Sequence, residues 1–193
     1  LTAENAFLPD FSSIPEEVLE RTAYLVLSYP SNPVGAVAPP RVYEEAIALA
    51  DKYGFAVIND NAYSDIIFSG EGRAFLSYDG AASVGAEFFS LSKSFDTTGA
   101  RISFLIGNAD IVSAFRKLRS QYDFGMFAPV QAMAIAALTG DRTGVKMRCA
   151  EYKRRRDALC GGLRGIGWDV PDSEGTMFVW ARIPAENMSS EEF

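Results

Sequence analysis

Short apolar runs alternate along the chain with stretches whose apolar residues recur every three or four positions, which predicts strands and helices in turn. Tyr24 to Ser28 reads as a first strand. Pro39-Pro40 opens a helix to Tyr53, with Val42, Ala46, Leu49, Ala50 and Tyr53 at helical spacing and Gly54 as its stop. Phe55 to Ile58 is apolar throughout, as a strand covered on both faces should be. Ala86 to Leu91 and Arg101 to Ile106 are predicted as the third and fourth strands. Asp110 is expected to cap a helix over 111–120, and Ala128 to Leu138 forms an apolar helix closed by Gly140. A long helix, Val145 to Leu163, carries Val145, Cys149, Tyr152, Leu159 and Leu163 as its buried stripe. Beyond Gly165-Ile166-Gly167 the texture changes to short strands, Trp168 to Val170 and Thr176 to Ala181, with Trp168, Phe178 and Trp180 as a small core. A boundary near residue 150 divides the chain into 1–150 and 151–193.

This alternation is that of an α/β layer fold with a largely parallel sheet. One connection refines it. Seven residues separate Lys93, just past the third strand, from Arg101, which opens the fourth. A parallel crossover needs about a dozen residues or more, so the fourth strand should run antiparallel to the third. Arg101 then lies at the edge where the other strands end, and open α/β sheets bind ligands at that edge.

Composition narrows the chemistry. The 193 residues suffice for a sizeable core, and 48% are apolar. The net charge of -7 argues against nucleic acid as the main partner. The run Lys153-Arg154-Arg155-Arg156 points in spread directions on a helix and reads as a solvated face. There is no histidine, so a Ser-His-Asp triad, a Cys-His pair and histidine metal sites are excluded within this chain. Cys149 and Cys160 lie on one helix, roughly 16 Å apart, too far for a disulfide. They read as core thiols in a reducing cytoplasm. No apolar run reaches the ~20 residues of a membrane span.

Four segments converge at the predicted sheet edge. Asn32, in Tyr29-Pro30-Ser31-Asn32-Pro33-Val34-Gly35, follows the first strand. Asp60 follows the second, with Tyr63 three residues on, and Ser90-Leu91-Ser92-Lys93 ends the third. Arg101 opens the fourth. Pyridoxal 5'-phosphate needs this set: a lysine amine for its aldehyde, an anion beside the ring nitrogen, donors at the ring oxygen and a cradle for the phosphate. Lys93, Asp60, Tyr63 with Asn32, and Ser90, Ser92 with Arg101 would fill those roles in that order. The two prolines and Gly35 around Asn32 would hold its amide in one orientation.

Asn-Pro-Val-Gly after a strand, Asp-Asn-Ala-Tyr after the next, and Ser-Leu-Ser-Lys followed eight residues later by Arg101 resemble the pyridoxal-phosphate-dependent aminotransferases of classes I and II, fold type I. The similarity runs from Phe7-Leu8-Pro9-Asp10 through Thr176-Met177-Phe178-Val179-Trp180. It implies a three-layer α/β/α large domain with a mainly parallel sheet, plus the start of a small α+β C-terminal domain. It implies a Schiff base at Lys93, ring contacts at Asn32, Asp60 and Tyr63, phosphate contacts at Ser90, Ser92 and Arg101, and a homodimer with active sites at the subunit interface. The segment from Glu87 to Phe95, with Thr98-Gly99, resembles the LL-diaminopimelate and aspartate aminotransferase branch.

The resemblance also implies parts outside these residues. The family's glycine-containing phosphate-binding helix start and its stacking aromatic ring would precede Leu1, and the arginine that grips the substrate carboxylate would follow Phe193. The chain is therefore expected to be a piece of a longer protein. Ser103 stands where the family usually has glycine. The leading expectation is an aminotransferase that moves an amino group between an amino acid and a 2-keto acid. Two alternatives share the residues: a carbon–sulfur lyase on the same scaffold, and the sensor domain of an aminotransferase-like transcription regulator.

Overall fold

A computed structural model describes every residue of the chain except Glu71 and Glu186. The regular elements are helix α1 (Glu16–Leu19), strand β1 (Tyr24–Leu27), α2 (Pro40–Tyr53), β2 (Ala56–Asn61), α3 (Ala81–Val84), β3 (Gly85–Ser90), α4 (Leu91–Ser94), β4 (Ser103–Gly107), α5 (Ala109–Tyr122), α6 (Ala128–Thr139) and α7 (Thr143–Gly165). Single 3-10 turns, among them Phe75–Ser77 and Thr98–Ala100, fill the connections.

The strands form one mixed sheet in the order β1-β2-β3-β4. The β1–β2 and β2–β3 pairs are parallel, and β3–β4 is antiparallel, as the short Lys93–Arg101 connection predicts. Alternation along each strand sends residues to opposite faces. Leu27, Val57, Asn59, Asn61 and Glu87 face the main core, where α2 packs Val42, Tyr43, Ala46, Ile47 and Ala50 beside Phe75. Val26, Ile58, Asp60, Phe88 and Ser90 face the other way. That second face is partly covered by α5, whose Phe115 meets Phe88 edge-on at 5.3 Å. Tyr24 (64% exposed) and Val26 (59%) remain open to solvent there.

Several boundaries differ from the sequence reading. The strand β2 continues past Ile58 to include Asp60 and Asn61, because its ladder with β3 continues through Asn61 opposite Phe89. Leu91 leaves β3 and opens the helical turn α4, with the Ser90 hydroxyl accepting from the Ser92 N–H at 3.2 Å as its cap. Helix α5 is capped by Asn108, whose Oδ1 accepts from Asp110 and Ile111 N–H at 2.9 and 3.2 Å. Asp110 sits inside the first turn instead. Helix α6 starts and stops as predicted but buries only Ala134, and Ile135 is 64% exposed.

On α7 the buried stripe passes through Val145, Cys149, Tyr152, Arg156, Cys160 and Leu163. Leu159 is exposed, because a 3.6-residue period carries the stripe from 156 to 160. Arg156 takes the place expected for an aliphatic residue by laying its guanidinium over the Phe68 ring, 5.1 Å away. Cys160 is buried and Cys149 half-buried, and both are free thiols. The strands expected at Trp168 to Val170 and Thr176 to Ala181 do not form among the described residues. Strands need paired neighbours, and among the described residues this region has only a one-residue antiparallel bridge, Ile67 to Gly175. Trp168 and Phe178 are half-buried, and Trp180 is exposed.

Candidate active site

The turn after β1 is closed on itself. Ser31 N–H donates to the Ala36 carbonyl at 2.9 Å, Gly35 N–H to the Ser31 carbonyl at 2.8 Å, and Ala36 N–H to the Ser31 hydroxyl at 3.1 Å. Asn32 projects from this loop and is exposed. Its side-chain amide lies close enough to the Tyr63 phenol to act on it as a donor. Tyr63 is buried, and its ring meets Phe178 edge-on at 5.8 Å. Burial pushes the Tyr63 phenol above its ordinary pKa, the charge of Asp60 adds to the rise, and the Asn32 amide opposes both.

Asp60 lies on the open face of β2. With Ser90, Ser103, Val26, Ile58, Phe88 and Phe89 it lines a shallow depression of about 400 Å³. Ser90 and Ser103 are directly paired across β3 and β4. Lys93 rides half-buried on α4, and no hydrogen bond or ion pair holds its amine among the described residues. The next turn closes back onto α4: Thr97 Oγ1 donates to the Leu91 carbonyl at 3.0 Å and Thr98 Oγ1 to the Ser92 carbonyl at 3.2 Å. Arg101 Nη1 donates to the Thr98 carbonyl at 3.2 Å, and its backbone takes a left-handed φ of 52°.

The structure thus sets both Asn32 and Asp60 close enough to Tyr63 to act on its phenol, and brings Asp60 and Ser90 into one depression. Ser90, Ser92 and Lys93 share one turn, and Arg101 is tied to it through Thr98. Lys93 makes no direct bond to Asp60 or Tyr63. A second cavity, about 420 Å³, lies on the other side of the sheet beside Tyr29, Tyr43, Asn61, Arg73 and Arg142. Of the seven predicted site residues only Ser90 borders it.

The segment 173–176 packs on the site loops. Gly175 N–H donates to the Gly35 carbonyl at 2.9 Å, and Thr176 N–H donates to the Ile66 carbonyl at 2.8 Å. The Glu174 carboxylate accepts from Val37 N–H at 2.9 Å. The sequence reading missed these residues, and it missed Glu87, Asn59 and Asn61, which meet behind Asp60. The signal for them is a lone acid inside the apolar β3 and two amides alternating with Asp60 on β2.

Comparison with known proteins gives the family. The family model described as aminotransferase class I and II matches residues 1–193. The chain is 44% identical to the LL-diaminopimelate aminotransferase of Dehalococcoides mccartyi, covering 100% of this chain and 50% of that protein. It is 39% identical to the glutamate-pyruvate aminotransferase AlaC of Escherichia coli, covering 92% and 43%. The substrate-bound structure of BacF from Bacillus subtilis superposes with a TM-score of 0.92 at 38% identity, covering 99% of this chain and 49% of BacF. The chain spans about half the length of the curated relatives it matches. With a family match over every residue and a sheet superposing on solved members, the chain belongs to the class I and II aminotransferases.

Proposed function

We propose that the full-length protein is a pyridoxal-phosphate-dependent aminotransferase that moves an amino group between an amino acid and a 2-keto acid. One observation carries this reading: a lysine, a carboxylate, an amide–phenol pair, two serines and an arginine gather at one edge of the sheet in a family whose members use that cofactor. The donor set fits the cofactor. Among the described residues the Asp60 carboxylate accepts no hydrogen bond, the hydroxyl hydrogens of Ser90 and Ser92 have no acceptor, and Arg101 spends one N–H on Thr98.

Asp60 would face the ring nitrogen and keep it protonated, and Tyr63 with Asn32 would contact the ring oxygen. Ser90, Ser92 and Arg101 would take the phosphate, the arginine by its planar fork. The bound cofactor supplies a sink for the electron pair left when the substrate's Cα–H bond breaks. Lys93 would anchor the cofactor and then, as a free amine, carry the proton from the substrate Cα. A homodimer in the cytoplasm, with residues 1–150 in the large domain and 151–193 at the start of the small one, completes the reading. Names of relatives such as LL-diaminopimelate aminotransferase support transamination, and a dicarboxylic or diamino acid donor, over elimination or sensing.

The test uses the full-length protein. Adding pyridoxal phosphate should give a visible absorption band, and borohydride should fix the label on the Lys93 peptide. Lys93→Ala should lose both. Turnover that needs a 2-keto acid acceptor supports transamination. Pyruvate released from a cysteine thioether without an acceptor would overturn it in favour of elimination.

A further inference from the structure

Glu87 is a carboxylate with no exposure to solvent in the middle of β3. It forms no ion pair among the described residues. Four donors surround it instead. Oε1 accepts from the side-chain amides of Asn59 and Asn61, each at 2.8 Å, and from Phe75 N–H at 3.1 Å. Oε2 accepts from Leu76 N–H at 3.1 Å. Burying a carboxylate without a cation is unfavourable unless its lone pairs are filled this way, and a core needing only bulk is served as well by an apolar residue of similar volume. The anion therefore does something that bulk does not.

What it grips identifies the role. Asn59 and Asn61 are the two neighbours of Asp60 on β2, and both point to the core face. Asp60 points to the opposite face, is exposed, and has no hydrogen bond of its own among the described residues. Its placement is set by the backbone of β2 alone, and one carboxylate holds that backbone through both adjacent side chains.

We propose that Glu87 is a positioning residue for the reaction: by clamping Asn59 and Asn61 it fixes where the Asp60 carboxylate stands against the cofactor ring. This rests on the aminotransferase reading above. It assigns Glu87 no contact with cofactor or substrate.

The test is a double-mutant cycle in full-length protein loaded with pyridoxal phosphate, using Glu87→Gln, Asp60→Asn and the double variant. Three quantities are read: the cofactor dissociation constant, the pH midpoint of the visible band, and the thermal midpoint. Glu87→Gln keeps the side-chain shape but puts an amide against the Leu76 N–H. It should weaken cofactor binding by about tenfold or more, since small misplacement of a reacting group has large effects, and it should move the band's midpoint. In the Asp60→Asn background it should add nothing to either, because the group it positions is gone. Asn61→Ala, which keeps the Glu87 charge and three of its donors, should move the midpoint in the same direction, and it serves if Glu87→Gln does not fold. A Glu87→Gln effect confined to the thermal midpoint, equal losses in both backgrounds, or a wild-type midpoint in Asn61→Ala would overturn the proposal alone. A wild-type protein that takes no label on Lys93 would overturn the aminotransferase reading and this proposal with it.

Discussion

Asn32 and Tyr63, on loops that follow different strands, stand close enough at the edge of the sheet for the amide to act on the phenol. The Asn32 amide opposes two influences that raise the Tyr63 pKa, burial first and the Asp60 charge second. A donor to the phenol oxygen favours the charged form and a nearby anion disfavours it. Asn32→Ala should therefore raise the Tyr63 pKa further, and Asp60→Asn should lower it. Ultraviolet tyrosinate titration, with Tyr63→Phe subtracted, reads both. Shifts of the same sign in the two variants would contradict this arrangement.

Gly35 has a φ of +76°, and a Cβ there would stand 2.6 Å from Ser173 Cβ and 2.7 Å from the Gly175 carbonyl oxygen. Neither neighbour is the free end of a flexible side chain. Gly35→Ala should cost about 1–2 kcal/mol for the left-handed backbone alone, and the close contacts add to it. Chemical denaturation measures the loss. Gly54 also has a positive φ, but nothing lies within 4 Å of its Cβ position, so Gly54→Ala should carry the backbone cost without the steric one.

Asn108 holds two functions at the start of α5. Its Oδ1 caps two N–H groups, and its Nδ2 donates to the Ser83 carbonyl at 2.8 Å. Asn108→Ala should destabilise by about 1–2 kcal/mol. Asp110→Ala, two residues further in and exposed, should stay within about 0.5 kcal/mol of wild type. Urea unfolding of the two variants in parallel distinguishes the cap from its neighbour.

Glu151 accepts from Arg154 and Arg155 on the surface of α7, at 2.7 to 2.8 Å. Those bonds, Arg154 first, hold its carboxyl down to about 2 from an ordinary 4.5. A depressed pKa contributes stability that is fully present above 4.5 and lost as pH falls toward 2. Since the group is exposed, screening keeps that contribution small. The titration itself is the sharper measurement: carboxyl NMR of Glu151 should give a midpoint near 2 in the wild type, and Arg154→Ala should move it up toward 4.5.

Much of this protein was legible in local patterns. The start of α2 at Pro40 and its stop at Gly54 depend on a proline's fixed φ and a glycine's left-handed one, both properties of single residues. The antiparallel sense of β4 followed from the length of the Lys93–Arg101 connection, which sterics limit. The order Asn32, Asp60, Tyr63, Ser90, Lys93, Arg101 marked one edge, because strands that run the same way end on the same side.

What the sequence left open depended on partners far along the chain. Glu87 drew no separate reading from the sequence, and only folding set it against Asn59 and Asn61, 28 and 26 positions away. Asn108 won the cap from Asp110 because it could also reach Ser83, 25 positions back. On α7 the helical period put Arg156 rather than Leu159 on the buried stripe, and Phe68 supplied the surface its guanidinium covers. The segments around Trp168 and Thr176 had strand-like composition but found no ladder to join. Backbone conformation within a few residues is governed by sterics the sequence carries with it, whereas burial, charge compensation and strand pairing are interactions between segments that only the tertiary fold brings within bonding distance.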